Sequence, residues 1–403
     1  MSDADRGARL REWLRRRGVS DEAIERAAAQ DQLHLLVLDR ALLPAERALT
    51  AGEVARETGF PEDLIFRFRR ALGFPDVAPE EPVFTEFDVE ALNNTRTLMR
   101  LSMAGLDSAL QLARVIGSSM EKIAEAEVET SPVLRGEMTS LEVAELYAVT
   151  ADYTLPETAR ILEYTWRRHL QEAMRRAMLL SRSLDEPVTL AVGFADLVGF
   201  TALSQQLSSE ALGQLVSRFE DLAYDTVARL GARVVKMIGD EVMYTAVEPD
   251  VAARVGLSLA EAYADDDMLS DVRVGLAYGP VLLRDGDCYG VVVNLANRLV
   301  KIAAEGSVLA SDGLHAALEA DDRFDWRAMR PRYLKGLGKV PVWVLRGAGA
   351  GGGERGGTDR RRRWMVKDQL REALERSLPR RARAAVRASD AAGSPGGGAP
   401  VEP

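Results

Sequence analysis

The chain has 403 residues, 47% of them hydrophobic and 28% charged, and its 52 Lys plus Arg against 62 Asp plus Glu give a net charge of −10. That length predicts two or three globular domains, and the acidic balance argues against general affinity for nucleic acid or anionic membrane while leaving room for a local basic patch. One cysteine, Cys288, and only three histidines, His34, His169 and His315, exclude an internal disulfide and a structural Cys/His zinc site.

The first residues are charged and lack an apolar signal core, and no run of about 18 apolar residues occurs, so a cytoplasmic chain without a membrane span is expected. Residues 1–153 read as helix after helix. Apolar side chains recur at three- and four-residue spacings, as in Leu10, Trp13 and Leu14, and prolines from Pro44 to Pro132 punctuate the segments. Within this all-α region, Leu49 to Pro75 has the layout of a helix-turn-helix: Thr50 as cap, Gly59 at the bend, and Arg67, Arg69 and Arg70 on the second helix. Such cations would suit DNA phosphates, but the same layout describes an ordinary helical hairpin, and an acidic chain favours the hairpin.

Residues 154–186 read as a linker helix, with Thr154 as cap, Pro156 and Glu157 in the first turn, and an apolar stripe of Leu162, Trp166, Leu170 and Met174. Ending just ahead of the next domain, it is either a transmitter of motion or a plain packed helix. From residue 187 to 347 strands and helices alternate. VTLAVGFAD reads as a buried strand, with a helix from about Thr201 to Leu230; ARVVKMIGDEVMYTA is a hairpin turning at Gly239. Next come a helix to about Asp266, two strands in VRVGLAYGPVLLRDG, a helix in GVVVNLANRLVKIAA, and a closing strand pair in RYLKGLGKVPVWVLRG. Residues 348–403 are a Gly-rich linker and a basic, largely disordered tail.

Two aspartates stand out. Asp196 ends an apolar strand and Asp240 sits in the hairpin turn. A carboxylate in such a place needs a partner, water or a metal, and two brought together repel unless a divalent cation relieves them. Asn294 and Arg298, four apart, share one helix face.

FADLVGFT, KMIGDE, GDCYGVVVNLANRL and LKGLGKVPVWVL together resemble the class III adenylyl cyclases, over about Val188 to Leu345. The resemblance implies a ferredoxin-like (βαββαβ) catalytic domain behind an all-α regulatory domain, hence a multidomain α plus α/β fold. It implies two divalent ions, Mg²⁺ or Mn²⁺, on Asp196 and Asp240; a phosphate-binding loop at Gly199, Phe200 and Thr201; and catalytic Asn294 and Arg298. It assigns adenine to Lys236 and Asp287, a donor and an acceptor that match N1 and N6 of adenine and mismatch guanine. It also implies a homodimer with two sites at the interface, metal aspartates from one chain and Lys, Asp, Asn and Arg from the other. Cys288 adjoins Asp287, one place from where guanylyl cyclases carry a small residue, and reads as packing.

The helical N-terminus and linker are similar to a mycobacterial-type, pH-responsive subgroup, in which a helical domain inhibits the catalytic domain until acid relieves it. His169, near Arg168 and Glu172, is the candidate sensor, with an exposed helical histidine as the plain alternative. Rival readings are a guanylate or diguanylate cyclase, against which Ile238 and Val242 stand where GGDEF needs Gly and Phe, and a DNA-binding regulator with a nucleotide-sensing domain.

Overall fold

The computed structural model describes residues 3–349 except 103–104, 132, 134–135, 137, 180–186 and 267. The expected end of the linker helix and the Gly-rich, basic tail therefore lie outside the described residues. Two compact units divide at Arg176/Ala177. Among the described residues no helix is long and apolar enough to cross a membrane.

Among its described residues the first unit's regular elements are all helices, with one isolated antiparallel bridge between Leu49 and Phe84. One core gathers Leu10, Trp13 and Leu14 of α1 (Asp3–Arg16), Ile24 of α2 (Asp21–Ala29), Leu33 and Val37 of α3 (Leu33–Leu42), and Ala144 and Ala148 of α8 (Ser140–Val149). A second core lies among α4 (Ala51–Thr58), α5 (Glu62–Ala71), α6 (Glu86–Ser102) and α7 (Leu106–Thr130).

The helix-turn-helix-like segment is α4 and α5. Thr50 and Glu53 form a reciprocal capping box, and Gly59 ends α4 in the left-handed conformation at φ 72°. Arg69 donates to the Pro75 carbonyl and lies over the Phe74 and Phe84 rings, while Arg70 pairs with Asp76. Two of the three arginines thus serve the domain's own packing, as in an ordinary hairpin.

The expected cap at Thr154 does not form. Thr150–Thr154 is instead a π-helical turn, with Leu155 N–H bonded to the Thr150 carbonyl, and it joins α8 to α9 (Leu155–Leu179). Pro156 explains the wide turn: it cannot donate to the carbonyl four residues back, and its ring needs room there. Of the stripe on α9, Trp166, Leu170 and Met174 are exposed, Trp166 at 61%, and Leu162 is half-buried.

The second unit holds an eight-stranded sheet in the order β2 (Arg233–Ile238), β3 (Glu241–Ala246), β1 (Val188–Leu197), β4 (Val272–Arg284), β6 (Val308–Ser311), β10 (Val342–Gly347), β7 (Phe324–Ala328), with β5 (Asp287–Tyr289) paired to β4. Its core is β1 (Val188–Leu197), β2 (Arg233–Ile238), β3 (Glu241–Ala246) and β4 (Val272–Arg284), all neighbours antiparallel. With α11 (Ser209–Arg229) between β1 and β2, and α12 (Pro249–Asp265) between β3 and β4, this is the expected βαββαβ arrangement. On one face Ala191, Ala195, Val242 and Val274 pack with Phe219 and Leu259 of α11 and α12. On the other, Val192, Phe194 and Met243 pack with Val292, Ala296 and Val300 of α13 (Val291–Ile302).

Three element boundaries differ from the sequence reading. The helix expected from Thr201 breaks into α10 (Phe200–Ser204) and α11, because Ser208 caps a new start by accepting from Ala211 N–H. VRVGLAYGPVLLR is one strand, since pairing with β1 runs straight through Gly279 and Pro280. The closing segment gives a small β8–β9 hairpin (Arg332–Leu334, Gly338–Val340), and then β10 (Val342–Gly347) enters the main sheet between β6 (Val308–Ser311) and β7 (Phe324–Ala328). Helix α14 (Asp312–Leu318) lies between β6 and β7 in the chain.

Candidate active site

The site starts where β1 ends. Asp196 is the penultimate residue of β1, paired across the sheet with Glu241 on one side and Arg273 on the other. The next residue, Leu197, donates its N–H to the Asp240 carbonyl at 3.1 Å. That bond fixes the β2–β3 turn against the end of β1, and Gly239 makes the turn possible with φ 63°. Asp196 and Asp240, 44 positions apart in sequence by their numbering, are thereby neighbours.

The electrostatics record that approach. Burial, and then the charge of Asp240, push the Asp196 carboxyl above its ordinary range, with Arg273 and Lys301 opposing. Burial, followed by the charge of Asp196, pushes Glu241 up to about 7, again with Lys301 opposing. Glu241 also accepts from Asn297 Nδ2 at 3.2 and 3.4 Å.

Lys236 and Asp287 meet as well. Lys236 of β2 forms an ion pair with Asp287 Oδ2 on β5 (Asp287–Tyr289), while Oδ1 accepts from the Cys288 N–H at 2.8 Å. Cys288 itself is buried in the β1/α13 core, where burial raises its thiol pKa, and it is a packing residue. Asn294 and Arg298 are exposed on α13, one turn apart. Gly199, at φ 75°, opens the one-turn helix α10, so Phe200 and Thr201 supply first-turn N–H groups beside the end of β1.

Comparison with known proteins follows this division. Residues 2–174 match the family model "Adenylate cyclase regulatory domain", and residues 184–347 match "Adenylate and Guanylate cyclase catalytic domain". An adenylate cyclase of Streptomyces coelicolor is 36% identical over 79% of this chain and 91% of its own length. The chain belongs to the class III adenylate cyclase family. An adenylate cyclase of Glutamicibacter nicotianae is 32% identical over 78% of this chain and 83% of its own. A protein of Mycobacterium tuberculosis named as a pH-sensitive adenylate cyclase is 30% identical over 86% of this chain and 90% of its own.

Class III cyclases generally use divalent metals, and the carboxylate pair suits such an ion. It offers hard oxygen donors, one near the end of β1 and one in the β2–β3 turn, and each charge is costly beside the other without a cation. Among the described residues no cluster of three or more His, Cys, Asp or Glu side chains forms a ready-made cage. A donor set of two fits Mg²⁺ or Mn²⁺, which keep waters and substrate phosphates as further ligands.

Sequence reasoning missed Glu241, Asn297, Arg273 and Lys301. Asn297 had a readable signal: it is polar yet lies toward the sheet-facing side of α13, near Ala296 and Val300. The sensor candidate His169 is exposed on α9, where Arg168 bonds Gln171 and Glu172 pairs with Arg175 rather than with the histidine.

Proposed function

We propose that the chain converts ATP to 3′,5′-cyclic AMP and pyrophosphate, in two equivalent sites shared between two copies of the chain. The observation that carries this reading is the Leu197–Asp240 bond, which brings Asp196 and Asp240 together at the end of β1. Two Mg²⁺ or Mn²⁺ ions bound there would neutralise the triphosphate and make the ribose 3′-hydroxyl more acidic.

The remaining groups bind and orient. Lys236 donates to adenine N1 and Asp287 accepts from N6; guanine would leave both mispaired. Their mutual ion pair is partly exposed, with side chains 42% and 24% accessible, so it is worth under about 1 kcal/mol and opens cheaply for the base. Asn294 holds the ribose. Arg298 spreads its donors over the α-phosphate as the 3′-oxygen attacks in line, and a lysine would do this less well. Gly199, Phe200 and Thr201 direct N–H groups at the phosphates.

All six of these functional positions, Asp196, Asp240, Lys236, Asp287, Asn294 and Arg298, occur in one chain, and a two-fold dimer uses each set once per site. A monomer is then inactive. The N-terminal helical unit inhibits the catalytic unit and acid relieves it, a reading supported by the regulatory-domain match and by the relative named as pH-sensitive.

Incubation of the full chain at about pH 5.5 with Mn²⁺ and either ATP or GTP, with chromatography of products, tests the reaction under the conditions that relieve inhibition. Cyclic AMP from ATP is expected, with at least about a hundredfold preference over GTP, and near-complete loss in Asp240→Ala. Cyclic GMP or a cyclic dinucleotide as the main product contradicts it. Equal specific activity at about pH 5.5 and about pH 8 removes the acid-relief reading.

A further inference from the structure

Glu241 and Asn297 join two parts of the site that the sequence keeps 56 residues apart. Glu241 directly follows Asp240 and pairs across the sheet with Asp196. Asn297 sits on α13 between Asn294 and Arg298, but it points at the sheet rather than at solvent, and its Nδ2 donates to both Glu241 oxygens at 3.2 and 3.4 Å. Lys301, one turn further along α13, lies within electrostatic reach of both Asp196 and Glu241. The helix that carries Asn294 and Arg298 is therefore held to the strand end that carries the metal carboxylates.

We propose that Glu241 and Asn297 are positioning residues that tie the Asp196/Asp240 pair to helix α13, so that α13 sets the geometry of the metal carboxylates. The inference rests on the reading of Asp196 and Asp240 as the metal pair. It has a consequence for the dimer: the two ends of this link serve different active sites, so a change at one site reaches the other within one chain, through this contact and the packing of α13 on β1 and β3.

The physical case is one of stiffness. The Asp240 turn is anchored on its β1 side by the Leu197 bond, and Glu241 is the first residue of β3. The Asn297 amide is the hydrogen-bond donor described above for the Glu241 side chain, and it ties β3 to α13 directly behind that turn. Losing either end of the contact frees the first residue of β3, and with it the adjoining Asp240 turn, from α13, so the two aspartates no longer share one fixed geometry. Outer partners that orient metal-binding carboxylates typically account for about tenfold or more in metal affinity.

The test is equilibrium Mn²⁺ binding to the full-length chain without nucleotide, read by electron paramagnetic resonance, for wild type, Asn297→Ala, Asn297→Leu, Glu241→Ala, Glu241→Gln and the Glu241→Ala/Asn297→Ala double variant. Calorimetric unfolding of each establishes that it is folded. The expected result is about tenfold weaker Mn²⁺ binding in Asn297→Ala, Asn297→Leu and Glu241→Ala. The double variant is no weaker than the single ones, and Glu241→Gln stays within about threefold of wild type because its amide oxygen still accepts from Asn297. The KM for ATP at saturating Mn²⁺ changes little in Asn297→Ala. Folded Asn297 variants that bind Mn²⁺ like wild type, or single effects that multiply in the double variant, overturn the proposal. A wild-type chain that makes no cyclic AMP sinks the proposed reaction instead, and leaves the Mn²⁺ cycle readable. A wild-type chain that binds no Mn²⁺ sinks both.

Discussion

Replacing Glu241 by Gln should make the catalytic unit more stable at neutral pH and leave it unchanged in acid. Glu241 has an ordinary value of 4.5 and is pushed up to about 7, chiefly by burial and then by Asp196. A carboxyl raised on folding contributes stability that is complete below pH 4.5 and is lost as pH climbs through about 7. At about 1.36 kcal/mol per pH unit, the full interval corresponds to about 3.4 kcal/mol. The group is only half-buried, so solvent screening reduces this to about 1.5 kcal/mol. Glutamine carries no charge and avoids the loss. For a unit of this size, about 1.5 kcal/mol is a melting-temperature difference of roughly 3–6 °C. Scanning calorimetry of the metal-free full chain measures it, with the transition that Mn²⁺ shifts taken as the catalytic unit. The variant should match wild type near pH 4.5, gain as pH rises, and level off above pH 7. A gap that is constant with pH, or one that favours wild type at neutral pH, refutes the reasoning.

Gly193→Ala should unfold or severely destabilise the catalytic unit: its added Cβ would fall 2.2 Å from Cζ of Tyr244, which is fully buried, and the expected cost is at least about 3 kcal/mol by calorimetry. Lys236→Glu combined with Asp287→Cys should lower kcat/KM for ATP by about a hundredfold or more and raise GTP turnover, read by product chromatography. Thr50→Ala removes the α4 capping box, at about 1 kcal/mol of N-terminal unit stability, and should leave the KM for ATP unchanged.

Much of the fold was legible because local signals and burial agreed. The apolar run of β1, the Gly239 turn and the α13 pattern each appeared where expected. The failures have specific causes. Gly279-Pro280 has the look of a turn, yet β1 pairs across it, and only the partner strand decides that. The break before α11 carries no Gly or Pro, and its sole mark is the Ser208 cap. Thr154 carries cap chemistry, but helical continuity with α8 overrode it. In the site, Asp196, Asp240 and the Asn294/Arg298 pair stood out by residue type and position, while Lys236 and Asp287 came from the family resemblance alone. The Glu241–Asn297 contact escaped because it joins β3 to α13: Asn297 is out of place on an apolar helix face, but nothing in its own segment names Glu241 as the partner.

The central claim is that each active site borrows its metal carboxylates and its Asn–Arg pair from different chains, and mixing two inactive variants tests it most directly. Asp240→Ala and Arg298→Ala should each be nearly inactive alone. Unfolded and refolded together in equal amounts, half the dimers are mixed and each of those has one intact site, so the mixture should recover about a quarter of wild-type cyclic AMP formation. A mixture no more active than its two parents would mean that the groups act within one chain, and would contradict the account.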